Sequence, residues 1–246
     1  GIELRAGDYE SLAGMTAALK GIDTVVMISA PVAGNKDRIP LHRNVIEAAG
    51  EAVVRRVLFT SVVGNGQEMG TLFGPTQQVN RQTERDLQDS GLDWVVGRNG
   101  LYLELDLIQM RMAQESGIYA NPAGNGRCPY ITIDEIAYAF AKLAVDAQHN
   151  GQVYNITGET LTQVELLDLV REILGIDLRH EDMSDEACIE MFLELMPDRG
   201  EPVALMLAGC FQSMRIGAFD VPSHFQEAAG RPVKTVREML AGMAPR

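Results

Sequence analysis

The chain has 246 residues, 46% hydrophobic and 22% charged, and 21 Lys+Arg against 34 Asp+Glu leave a net charge of −13 at pH 7. A chain of this length buries a real core, as one large domain or two unequal ones, so disorder and fibre are excluded. The acidic surplus, with no Lys/Arg run, argues against a nucleic-acid groove or an anionic membrane surface, because either partner would be repelled at long range.

From the front, Ile2-Glu3-Leu4-Arg5 alternates like a half-buried strand and stops at Gly7-Asp8. A helix is predicted over 11–20, closed by Gly21, and 23–29 then runs nearly all apolar and β-branched, as strands buried on both faces do. Residues 31–36 read as loop. Ile39, Leu41, Val45, Ile46 and Ala49 recur at helical spacing over 38–49, and 57–62 is a second apolar strand. After a Gly/Asn-rich loop over 64–75, a polar helix from about 77 to 90 ends at Gly91, and 92–96 makes another strand. Strands alternating with helices imply βαβ units, hence a parallel sheet with helices on both faces.

The second half changes character. A helix over 134–146 turns Ile136, Ala137, Phe140, Leu143 and Ala144 inward, and 151–156 returns as a strand. Two helix starts carry a capping box, Thr162-x-x-Glu165 and Thr235-x-x-Glu238, and Ser184 before Asp185 and Glu186 opens another helix. From 158 onward the chain is predicted to be mainly helical.

No apolar run approaches the ~18 residues that a membrane span needs. Cys128, Cys188 and Cys210 are odd in number and widely separated, so neither a disulfide framework nor a CxxC zinc site can be built from them. The expected compartment is the cytoplasm. No histidine sits in a metal-ligand spacing, so no metal is expected; His149, His180 and His224 read as surface or loop residues, and His42 is assigned no chemistry. Methionines such as Met191, Met196, Met206 and Met214 read as adaptable core or pocket lining.

A set of short segments in fixed order carries a resemblance: Gly7-Asp8-Tyr9, Ala18-Leu19-Lys20-Gly21-Ile22-Asp23, Leu41-His42-Arg43-Asn44-Val45-Ile46-Glu47-Ala48-Ala49, Arg56-Val57-Leu58-Phe59-Thr60-Ser61, Ser90-Gly91-Leu92 and Arg98-Asn99-Gly100-Leu101-Tyr102. Tyr130-Ile131-x-x-Asp134-Glu135-Ile136-Ala137, Gly151-Gln152-Val153-Tyr154-x-x-Thr157-Gly158 and Gly230-Arg231-Pro232 extend it over almost the whole chain. The chain resembles the NmrA-like atypical short-chain dehydrogenases, most strongly their quinone-reductase-like branch. The resemblance implies an α/β fold: a doubly wound, parallel, Rossmann-type sheet with a smaller, mainly helical C-terminal substrate domain. Residues 1–116 are expected in the NAD(P)-binding domain, with strand 151–157 returning to it, and 117–150 and 158–246 in the substrate domain. Family members begin with a strand, a glycine-rich phosphate loop, a helix and a second strand. This sequence begins at what resembles the third strand, so the natural protein is expected to be about 35–45 residues longer, the size of one βαβ unit.

The resemblance also implies site residues, at the C-terminal ends of the strands. Asp8 and Tyr9 are expected along the adenine, or else as a turn residue and a rim aromatic. Ser29, Ala30 and Pro31 would let the dinucleotide lie close to the backbone, and Thr60 and Ser61 would touch the nicotinamide or substrate carbonyl, or else cap the strand locally. Arg98, Asn99 and Tyr102 are expected around the substrate, with a packing role for Tyr102 equally open. Asn80 stands where related reductases carry Tyr, Lys or His, with Glu84 four residues on. An amide cannot transfer a proton at neutral pH, so Asn80 is expected to orient a carbonyl while hydride transfer proceeds by positioning; the alternative is a helix-surface Asn80, with Glu84 making an ordinary local pair to a nearby Arg. The expected cofactor is NADP(H) ahead of NAD(H), and the expected substrate is a quinone or small carbonyl. No nucleic acid and no membrane are expected as partners, and a homodimer stays open. The function implied is NAD(P)H-dependent reduction; the alternative is an NAD(P)(H)-sensing regulator without turnover.

Overall fold

The computed structural model describes residues 2–31 and 37–243. Four strands form a fully parallel sheet in the order β1-β2-β3-β7, made of Thr24–Ile28, Arg56–Val62, Asp93–Asn99 and Gln152–Ile156. Parallel strands need crossovers, and helices α2 (Arg38–Glu51) and α3 (Gly74–Gln88) supply the first two. One face packs Met27, Val57 and Phe59 against α1 (Leu12–Ala18), α2 and Leu87 of α3. The other packs Leu58 and Val95 against Phe140 and Leu143 of α5 (Ile133–Val145).

Gly97 shows how closely α5 approaches. A Cβ there would sit 2.4 Å from Phe140 Cζ. α5, which the sequence groups with the smaller unit, thus lies against the sheet.

The predicted front strand is not formed. Residues 2–8 lie outside any ladder, and Ile2 and Leu4 are 92% and 91% exposed. A strand is stable only with a neighbour to bond, and among the described residues none lies beside this segment. Arg5 Nη1 instead donates to the Ala18 and Lys20 carbonyls at the end of α1 (2.9 and 2.6 Å), where a helix terminus favours a cation. Of the 31–36 loop, only Pro31, which is exposed, lies within the described residues.

The remaining elements are β4 (Leu101–Tyr102), α4 (Leu103–Met112), β5 (Ile118–Asn121), β6 (Arg127–Ile131), β8 (Thr160–Thr162), α6 (Gln163–Leu174), β9 (Arg179–Asp182), α7 (Asp185–Leu195), α8 (Glu201–Arg215), α9 (Phe225–Ala229) and α10 (Val236–Met243). α4 and the short strands went unread because none has a long apolar period. Both capping boxes form: Thr162 and Glu165 bond reciprocally, as do Thr235 and Glu238. The segment after β2 docks on α8, with Leu72 N–H donating to Gln212 Oε1 (2.9 Å) and Asn65 N–H to the Ala218 carbonyl (3.0 Å), which fixes the C-terminal helices over the strand ends.

Gly97→Ala is expected to lower the melting temperature through overpacking worth about 1–3 kcal/mol. Adding Phe140→Leu should recover part of that loss in the same thermal scan; no recovery would show that the Phe140 contact is not the cause.

Candidate functional site

At the C-terminal ends of β1, β2 and β3 the molecule gathers polar side chains. α3 supplies most of them. Gln77, Asn80, Thr83 and Glu84 are all buried on its sheet-facing side, at helical spacing.

Glu84 is the hub. Its carboxylate accepts from Ser61 Oγ (2.6 Å), from Arg81 Nη1 (2.6 Å) and from the fork of Arg98, Nε at 3.0 Å and Nη2 at 2.6 Å. Burial, the largest influence, raises its pKa, but the Arg98 bonds, the Arg81 charge and the Ser61 hydroxyl outweigh it and hold the carboxyl below its ordinary range. A second buried carboxylate, Glu68, accepts from Gly66 N–H and Gln77 Nε2 (2.8 and 2.9 Å) and lies 3.8 Å from Arg81. Gly64 makes room for it, since a Cβ there would overlap Glu68 Oε1.

Around the end of β1 a second chain of bonds runs from backbone to helix. Ala30 N–H donates to His42 Nε2 (2.9 Å), and His42 Nδ1 lies 2.7 Å from Thr83 Oγ1, whose own proton goes to the Val79 carbonyl. This fixes the neutral imidazole with its proton on Nδ1. Burial, with the charge of Arg38, lowers the His42 pKa from 6.5 to about 4. Ser29 N–H donates to Thr60 Oγ1 (2.9 Å), and Ser29 Oγ reaches Asn80 Oδ1 at 3.4 Å.

The expected residues divide. Ser29, Ala30, Thr60, Ser61, Asn80, Arg98 and Asn99 converge on the strand ends. Ser61 is buried, and its hydroxyl is engaged by Glu84 and by Arg81 Nη1 (3.2 Å). Asn80 is only 1% exposed, which overturns the helix-surface alternative: its helix face lies under the strand ends, not in solvent. Asn99 Oδ1 is buried and has no partner among the described residues, and its Nδ2 faces Tyr102 Oη at 3.4 Å. Asp8 is an exposed turn residue bonded to Glu10 N–H, while Tyr9 donates to the Ile28 carbonyl (2.9 Å) and packs beside α1 and α2. Met191 lines a cavity of about 250 Å³ with Met112, Tyr119 and Leu195, which contains no strand-end residue.

Sequence reading missed Arg38, Arg81, Glu68 and Gln77, and left His42 without a role. The legible signal was the stripe Gln77, Asn80, Glu84, Leu87, whose spacing of three, four and three places all four on one helix face.

A parallel sheet with cations and amides gathered at its strand ends defines a Rossmann-type dinucleotide-binding protein. Residues 1–115 match the family model described as NAD(P)H-binding. Quinone oxidoreductase 2 of Escherichia coli strain K12 is 31% identical over 247 residues, covering 98% of this chain and 82% of that protein. Among solved structures, the E. coli NADPH-dependent quinone oxidoreductase complexed with NADPH has a TM-score of 0.86 at 28% identity, over 99% of this chain and 84% of that one. The Citrobacter sp. triphenylmethane reductase complexed with NADP(H) has a TM-score of 0.85 at 25% identity, over 100% and 84%. The chain belongs to the NmrA-like family of NAD(P)H-binding oxidoreductases, alongside quinone oxidoreductase 2.

The buried neutral His42 gives a sign to acid stability. Its folded pKa is depressed, so the unfolded chain binds more protons between pH 6.5 and 4, and stability present above 6.5 is lost as pH falls through this window. Urea titrations are expected to show a decline of about 3 kcal/mol across it. His42→Asn should flatten that decline, and an equal decline in the variant would contradict the assignment.

Proposed function

We propose that the protein is an NADP(H)-dependent reductase of quinones or similar small carbonyl compounds, with its substrate held over the ends of β2 and β3. The observation that carries this is the free edge of Arg98. Glu84 grips Nε and Nη2, and among the described residues Nη1 meets no partner, so a rigid guanidinium presents donors away from Glu84. Such a fork matches a carbonyl oxygen gaining negative charge.

The donor set also fits the cofactor. Asn99 Oδ1, a buried acceptor without a partner among the described residues, suits the amide donor of a carboxamide ring substituent, and Ser29 and Ala30 offer small side chains at the end of β1. When bound, NADP(H) supplies a hydride. The chain supplies orientation: Arg98 and Asn80 hold the acceptor oxygen, the Nδ2 of Asn80 being without a protein partner among the described residues, and Tyr102 walls the pocket. Ser61 is held by Glu84 and His42 is neutral and enclosed, so neither is placed to give Asn80's bound acceptor a proton at neutral pH. A quinone whose carbonyl carbon or ring accepts hydride can take its proton from water, so positioning is sufficient.

With the protein as its gene encodes it, NADPH fluorescence should show saturable binding, and adding a quinone should drive NADPH oxidation. Asn80→Ala should lower kcat about 100-fold, the loss of one oriented donor, with NADPH affinity little changed. Binding without turnover across several quinones would favour the sensing role, for which the lack of a proton donor at Asn80 speaks. No binding of NADPH or NADH would contradict both.

A further inference from the structure

Arg38 opens α2, yet its guanidinium folds back over the end of β1. Nη1 donates to the Ala30 carbonyl (2.9 Å) and the Ser29 hydroxyl (3.3 Å), and Nη2 to the Thr76 carbonyl in the first turn of α3 (3.2 Å). The residue is 6% exposed, and all three acceptors are neutral. Among the described residues no carboxylate lies within ion-pair distance; Asp37, whose charge partly offsets it, caps α2 at the Ile39 N–H. Burial and the positive end of a helix both disfavour a cation here.

Comparison with the other arginines at the sheet, Arg56 buried and Arg81 and Arg98 half-buried, sharpens the point. Arg81 and Arg98 are paired with Glu84. Arg56, buried and also without a close carboxylate, sits at the opposite end of the sheet and donates to the Ala144 carbonyl at the C-terminal end of α5, where a helix favours a cation. Arg38 alone of these four sits at a helix start, and among the described residues it has no ion-pair partner. Its Nε and one N–H of Nη2 meet no partner among the described residues.

We propose that Arg38 is the fixed counter-charge for the diphosphate bridge of the dinucleotide, held beside the Ser29–Ala30 turn. This rests on the reading that the strand ends hold NADP(H). Open α/β sheets bind ligands at the carboxyl ends of their strands, and Ser29 and Ala30 end β1. A diphosphate there completes the missing pairing, while the bonds to Ala30 and Thr76 keep the guanidinium from swinging away. In a chain of net charge −13, a local cation is needed to admit a polyanionic cofactor.

The test measures the affinity of NADPH and of NADH by fluorescence, at low and high salt, for the wild type, Arg38→Gln and Arg38→Lys. A parallel assay uses 1-benzyl-1,4-dihydronicotinamide, a reductant without phosphate. Arg38→Gln is expected to weaken both dinucleotides about tenfold or more, to flatten the salt dependence and to spare oxidation of the phosphate-free reductant. Arg38→Lys keeps the charge but loses the fork, and is expected to weaken both dinucleotides less than Arg38→Gln while keeping the wild-type salt dependence; Arg38→Met, of similar length and without charge, takes the place of the Gln variant if that does not fold. Unchanged affinity for both dinucleotides in Arg38→Gln overturns the proposal, as does a loss confined to NADPH, which would move the charge to the 2′-phosphate. An equal loss with the phosphate-free reductant assigns Arg38 a purely structural clamp and overturns it too. If the wild type binds neither dinucleotide, the cofactor reading itself falls; if it binds both and the variants match it, only the Arg38 assignment does.

Discussion

One buried carboxylate organises the strand ends. Glu84 reaches from α3 to Ser61 on β2 and Arg98 on β3, and binds Arg81 one turn back on its own helix. A buried ion pair is favourable only when its remaining lone pairs and protons are satisfied, because desolvation is large; four bonds meet that condition. Helix and sheet are thereby locked in one relation, and every polar group at the site inherits its direction from this lock. Removing the carboxylate would leave two half-buried guanidinium groups facing each other without their counter-charge, a destabilising change.

On the proposed reading, rigidity of this kind lets Asn80 stand where related reductases carry a proton donor. Reduction of a quinone calls for a held acceptor oxygen and a close hydride donor, and preorganised donors are worth most where no reorganisation is required. The site is built from an amide, a tethered guanidinium and backbone held by His42, none of which changes charge near neutral pH. The same arrangement makes the local field cationic inside an acidic molecule, with Arg38, Arg81 and Arg98 against Glu68 and Glu84.

Much of the fold was legible. The apolar β-branched runs became β1, β2 and β3, and Thr162, Ser184 and Thr235 cap the helices that their spacing announced. Ile2-Glu3-Leu4-Arg5 has the alternation of a strand but no neighbour to bond, and pairing is a tertiary fact that a local pattern cannot carry. Asn80 and Glu84 were harder for a different reason. α3 is polar almost throughout, which looks like a solvated helix, and only the spacing of Gln77, Asn80, Glu84 and Leu87 betrays that its polar groups are turned inward. Arg38 was hidden because a first-turn arginine ordinarily points into water; its burial comes from carbonyls 8 and 38 residues away in the chain.

The most direct test is the solvent isotope effect on single-turnover oxidation of NADPH by a quinone. Hydride transfer by positioning, with the proton taken later from water, predicts a value near one. A value of about two or more would place a proton in flight in the rate-limiting step and contradict hydride transfer by positioning alone.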